Sequence, residues 1–243
     1  MASKAEQASA SADTSEDAGP SAGINVEFQR ARSPEAKQAR EAAIMAAARA
    51  LTAERGIRDI TLTEIADAVG MHKSALLRYF ETREEIFLRL TADGWREWSA
   101  ALRAELDAMT DADPDAVAAA IASTLTQRGR FCDLLAQAPM NLERNVSSDA
   151  VRRFKYVTHD ELDAIVAALR RLLPGLSGSD GVDIIAATTA MAGAFWQIAT
   201  PGQELATLYR SDPRLAHAIV DVEPRLRRIL GELITGMLAR RPR

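Results

Sequence analysis

TLTEIADAVGMHKSALLRYFETREEIF, residues 61–87, decides how the rest of the chain reads. Thr61 is followed three residues later by Glu64, the spacing at which two side chains satisfy each other's backbone N–H groups at a helix start. Leu62, Ile65, Ala66 and Val69 then recur on one side, and Gly70 ends the helix after a little more than two turns. Glycine also accepts the left-handed backbone conformation that a tight turn demands. A second short helix follows Met71 and His72, with Ala75, Leu76 and Tyr79 inward and Lys73, Ser74 and Arg78 outward. Two short helices this close, with a small Ala66 at their crossing, predict a helix-turn-helix.

Such a pair has too little core to stand alone, and the preceding segment supplies more. In SPEAKQAREAAIMAAARALTAERG, residues 33–56, Ser33 is placed to cap a helix whose first residue is Pro34. Ile44, Ala47, Ala48 and Leu51 share one face before Gly56 stops the run, which predicts a helix from about 34 to 55. Residues 31–80 therefore read as a three-helix head. Residues 1–30 are Ala, Ser, Asp and Glu without apolar periodicity, the composition of a disordered tail.

Downstream, residues 81–240 continue in helical periodicity. Ile86, Phe87, Leu90, Trp95, Trp98, Leu102 and Leu106 form an irregular apolar stripe on one long helix. Further helices are expected over 113–131 and 148–173, with a short segment over 132–138 between them and Pro174-Gly175 as a stop. Residues 180–200 are apolar almost all round and rich in Ala and Gly. From Pro224 onward, Leu226, Ile229, Leu230, Leu233, Met237 and Leu238 return to one side opposite Arg225, Arg228 and Glu232. No internal repeat and no strand pattern is evident, so the fold class is all-α.

Composition narrows the chemistry. The 243 residues are 47% hydrophobic and 26% charged, in the range of a globular protein. Three histidines and one cysteine are too few for a zinc cluster or a disulfide framework, and Cys132 reads as a small buried hydrophobe. His159, Asp160 and Glu161 are consecutive and do not converge on a helix, so no metal site is expected. No Gly-rich phosphate loop, HExxH pair or Ser-His-Asp arrangement is present, and neither enzymatic activity nor a cofactor is expected. With no secretion signal and no run of 18 uncharged apolar residues, a cytoplasmic protein is expected without a membrane partner. The net charge of −4 exerts no overall pull on nucleic acid. Charge is uneven, however: residues 30–90 hold 11 Lys or Arg against 9 Asp or Glu, and residues 1–29 hold one against five.

Residues 61–87, with the apolar helix before them, resemble the DNA-binding head of the TetR family of transcriptional regulators. Residues 61–69 match its support helix, Gly70 its turn glycine, Tyr79 and Phe80 its aromatic pair, and Arg83-Glu84 its usual lysine and glutamate. His72 departs from the family's customary capping serine or threonine, and Leu77 and Arg78 stand where aromatic residues are frequent. The resemblance is specific over roughly 50 residues; beyond residue 90 it is one of length and helical architecture.

The major groove admits one helix and shows base edges to its first turns and outer face, which selects His72, Lys73, Ser74, Ala75 and Arg78 as readers. Thr61, Thr63, Tyr79 and Arg83 are better placed against the DNA backbone, where contacts position without specifying. The alternative is that Lys73 and Arg78 are ordinary solvated charges. The resemblance further implies a homodimer formed by the last two long helices as a four-helix bundle, for which Leu226, Leu230, Leu233 and Met237 are the candidate residues; the alternative is that both helices are simply core. It also implies an effector pocket in the middle segment. Trp95, Trp98, Phe131, Met140, Phe154, Phe195 and Trp196 are candidates for lining it around a small apolar or aromatic molecule. The function implied is a ligand-responsive regulator that represses from a palindromic operator. An activator with the same head, or an all-α ligand-binding or enzymatic bundle with a nonfunctional head, are the rival readings.

Overall fold

The computed structural model describes residues 34–110 and 113–240. The expected tail over 1–30 and the capping Ser33 lie outside the described residues. Within them the secondary structure is entirely helical, as the periodicity requires.

Helix α1, Pro34–Glu54, buries Ile44 and Ala48 completely, with Met45 and Leu51 packed at the edge of the same core. A 3-10 turn at Ile57–Asp59 leads into α2, Leu62–Ala68, which starts in the reciprocal cap read from the sequence. The Thr61 N–H donates to Glu64 Oε2 at 2.7 Å, and Thr61 Oγ1 accepts from the Glu64 N–H at 3.2 Å. Gly70, at φ 64°, makes the turn into α3, Lys73–Leu76, where a side chain would be strained. Beyond Leu76 the chain tightens, with Tyr79 N–H bonding Leu76 O at 2.8 Å, and buries Phe80. Ile57, Ile60, Ile65, Ala66, Leu76 and Phe80 close the head around α1.

Helix α4, Arg83–Asp107, is the spine joining head to body. Thr82 caps it by accepting from the Glu85 N–H at 3.1 Å. All seven residues of its expected apolar stripe are buried. The body continues through α5, Pro114–Thr126, α6, Gly129–Gln137, α7, Ser148–Leu172, and α8, Gly178–Ala199. A π turn at Ala138–Leu142 follows α6. The single helix expected over 113–131 is in fact two, because the chain breaks at Gln127–Arg128 and Phe131 belongs to α6. The break lets α6 turn across α8. There Gly193 admits the α6 backbone so closely that a Cβ would lie 2.9 Å from the Ala136 nitrogen.

A further helix, α9, Gln203–Ser211, and a 3-10 turn at Pro213–Ala218 precede α10, Val222–Ala239. The 22 residues of α8 are long and apolar enough to cross a bilayer by composition alone. Here, though, α8 packs one face against α6, α7 and α10.

Candidate DNA interface and effector region

The cap at Thr61 and the turn at Gly70 hold α2 and α3 at a fixed angle, and Ala66 and Leu76 lie fully buried where the two elements pack. This leaves His72, Lys73, Ser74, Leu77 and Arg78 exposed on the outer side of the second element. Ala75 is half-buried between them and the core. His72 occupies the N-cap of α3 without making a side-chain cap bond. None of the ion pairs among the described residues engages Lys73 or Arg78, whereas Arg55 is committed to Glu64 at 2.6 Å. The Thr61 backbone N–H, Arg55 and the Thr61 hydroxyl together hold the Glu64 carboxyl down at about 2. Two flexible cations, an imidazole and a hydroxyl on one convex face can reach the floor of a major groove and its flanking phosphates.

Of the expected backbone contacts, Thr61 and Thr63 are exposed at the start of α2. Tyr79 is half-buried and lines a cleft between head and body. Arg83 is engaged within the chain. Its Nη1 donates to Ile60 O at 2.9 Å and Arg58 O at 3.4 Å, its Nε lies 3.3 Å from Glu84, and its guanidinium stands over the Phe87 ring. Arg83 therefore braces the turn before α2 against the start of α4.

That same turn is held by the body. The Ile57 N–H donates to Asp133 Oδ2 at 3.2 Å, and Gln197 Nε2 donates to Asp133 Oδ1 at 2.7 Å. Gln137, with its amide oxygen toward Arg58, accepts from Arg58 Nε and Nη2 at 3.0 Å each. Asp133 on α6 thus ties the head to α8, a connection across 76 residues of chain that no local pattern announces.

The seven effector candidates do not converge on one pocket. Trp95, Trp98 and Phe131 are buried against one another, with centroids 5.5–6.1 Å apart, and Trp98 Nε1 donates to Thr124 Oγ1. Trp196 covers Gly129, Phe195 sits beneath Arg225, and Met140 is exposed on the π turn. Only Phe154 lines the larger cleft, of about 540 Å³, between α1, α4 and α7; Phe131 edges a smaller one of about 150 Å³. His159 pairs with Asp163, at 3.4 Å, and neither neighbouring acid joins it.

The dimer candidates lie against the chain's own core. Leu226, Leu230 and Met237 are buried within the chain itself, where α10 packs along α5 and α8, and Leu233 is partly covered at the same core. Exposed apolar residues are found on α8, on α9 at Leu205 and Leu208, and singly at Tyr156 and Ile219; those of α8 line up along the helix. Val182, Ala186, Ala190, Ala194 and Ile198, spaced four apart along one stripe, are all exposed. Sequence periodicity found an apolar face on each terminal helix, and within the chain the α10 face is covered by α5 and α8.

A capped support helix, a glycine turn and a short helix with an outward polar face, joined by one spine to a helical body, define a helix-turn-helix DNA-binding regulator. Two family models match: bacterial regulatory proteins of the tetR family over residues 44–90, and the tetracyclin repressor-like C-terminal domain over residues 92–241. The chain belongs to the TetR family of transcriptional regulators. Solved structures share the fold at low identity. A possible TetR family regulator from Streptomyces coelicolor A3(2) is 20% identical with a TM-score of 0.54, covering 83% of this chain and 100% of that one. The regulator FadR from Bacillus subtilis, solved with stearoyl-CoA, is 15% identical with a TM-score of 0.53, covering 80% and 98%. The fatty acid degradation regulator FadR from Bacillus halodurans is 13% identical with a TM-score of 0.52, also covering 80% and 98%. No match emerges among curated proteins.

Proposed function

We propose that this chain is a homodimeric, ligand-responsive repressor of a palindromic operator. The observation that carries the reading is the outer face of α3 and the turn after it, where His72, Lys73, Ser74 and Arg78 are exposed on a rigidly capped scaffold. Arg78 suits direct readout, because its planar fork matches the O6 and N7 acceptors of guanine. One head offers few such contacts, each contributing about 1–3 kcal/mol of discrimination. A two-fold axis doubles them and places the recognition helices about 34 Å apart, or a multiple of that distance. The exposed α8 stripe is the surface we assign to that axis, since a self-complementary patch of small and apolar residues allows two helices to approach closely. Blocking transcription from an operator requires no catalysis and places the protein with the DNA in the cytoplasm. FadR from Bacillus subtilis, solved with stearoyl-CoA, supports reading the body as the part that takes an effector.

Selection from a random pool of duplex DNA tests the reading. The expected product is an inverted repeat bound in a strongly salt-dependent manner. Failure to bind any duplex above background at low salt would overturn it.

A further inference from the structure

The cleft of about 540 Å³ between head and body has the size of a small-molecule site, within the range of about 300–1,000 Å³. Its floor is apolar: Leu88 and Ala92 from α4, Phe154 and Val157 from α7, and Met45 from α1. Its walls carry four ion pairs oriented alike. Lys37 and Arg89 pair with Glu41, Arg96 with Asp93, and Arg153 with Glu85. In every pair the cation is the exposed partner. The four cationic side chains are 47–64% exposed and the three carboxylates 9–35%. An incoming molecule therefore meets a positive rim above an apolar floor.

We infer that this cleft binds an amphipathic anion, with a carboxylate or phosphate head held by Arg89, Arg96 and Arg153 and an apolar body over Leu88, Phe154 and Val157. The inference deepens the ligand-responsive reading above and rests on it for its consequence. Glu85 explains how occupancy reaches the DNA-binding end. Its nearly buried carboxylate accepts from the Glu81 N–H at 2.8 Å, in the turn after the recognition element, and from Arg153 Nη2 at 3.1 Å. An anion that draws Arg153 toward itself leaves Glu85 with less support for that turn. The cleft also spans α1 and Tyr79 of the head, so a molecule filling it sets the spacing of head and body.

The test is calorimetric titration of the full chain, without DNA, with decanoate, decyl phosphate, decanol and decyltrimethylammonium, each below its micelle concentration. The expected result is saturable binding of at least one anion, about tenfold or more tighter than decanol, because each bond to a charged group is worth roughly that factor. Comparison of decanoate with decyl phosphate identifies the preferred head. Arg96→Gln, which breaks only a pair within α4, is expected to weaken the anion and leave decanol unchanged, and Val157→Trp to weaken both. Equal affinity for decanol and both anions, or undiminished anion binding by R96Q, overturns the inference. If V157W does not fold, R96Q alone decides. Because DNA is absent, failure here leaves the DNA-binding reading standing, while failure of DNA selection leaves this titration interpretable.

Discussion

Leu230→Ala and Ala190→Arg separate the buried face of α10 from the exposed face of α8. Leu230 has 0% exposure in the core that α10 builds with α5 and α8. Truncation there removes transfer energy and leaves a cavity, at a cost of about 3–5 kcal/mol of folding stability. For a chain of this size each kcal/mol lowers the melting temperature by about 2–4 °C, so a fall of roughly 6–20 °C is expected. Ala190 lies at the middle of the exposed α8 stripe, where its substitution touches no core contact and should alter subunit folding by only about 0.5 kcal/mol. In a two-fold interface, however, the introduced guanidinium would meet its own copy and desolvate two like charges. The assay is scanning calorimetry with sedimentation over a range of concentrations. L230A is expected to melt early yet sediment as a dimer where folded, and A190R to sediment as a folded monomer. An L230A that melts normally but dissociates, or an A190R that stays dimeric, would refute the assignment of the two faces.

Three other outcomes follow from individual side chains. Asp133→Ala removes the acceptor shared by Ile57 and Gln197, so hydrogen exchange at the Ile57 amide should accelerate about tenfold or more while Asp133→Asn retains part of the protection; unchanged exchange in D133A would show that the tie is dispensable. Glu64 is held at about 2 against an ordinary 4.5, so its stabilising contribution is complete above 4.5 and is lost as pH falls toward 2. The stability difference between wild type and Glu64→Gln should narrow over that window, and a pH-independent difference would contradict the cap's role. Burial raises the Cys132 thiol to about 12 from 9.0, so iodoacetamide at pH 8 should modify it only as fast as the protein opens; labelling at the rate of an unfolded control would contradict its burial.

What could be read from the sequence was local. Thr61 and Glu64 are one helical turn apart, and Gly70 stands alone at a boundary, so each declared its role without knowledge of the fold. The body was legible as helices but less so in its breaks. Arg128 and Gly129 interrupt an apolar run with no proline to mark the place, and α9 buries none of its residues, leaving little apolar pattern to detect. Partners far apart in sequence were not legible at all. Arg83 read as a contact to the DNA backbone, and its bonds within the chain went unseen because their acceptors, Arg58 O and Ile60 O, lie 25 and 23 residues away. The aromatic residues of the middle segment were recognised as a group, but periodicity cannot tell ring-on-ring packing from the wall of a cavity. It likewise shows that α10 has an apolar side without showing that α5 already covers it.

The central claim is that the outward face of α3 and the turn after it reads DNA while Arg83 holds the head together. Titration of wild type, Arg78→Ala and Arg83→Ala against a panel of single-base operator variants at several salt concentrations tests it directly, once each variant is known to be folded and dimeric. R78A is expected to lose about 1–3 kcal/mol on the preferred operator and to flatten base preference at one position in each half-site. R83A is expected to weaken binding to all sites with the salt slope unchanged, since its guanidinium is engaged by the Arg58 and Ile60 carbonyls. Base preferences left intact by R78A would contradict direct readout by this face, and a salt slope reduced by about one in R83A would return Arg83 to the phosphate backbone.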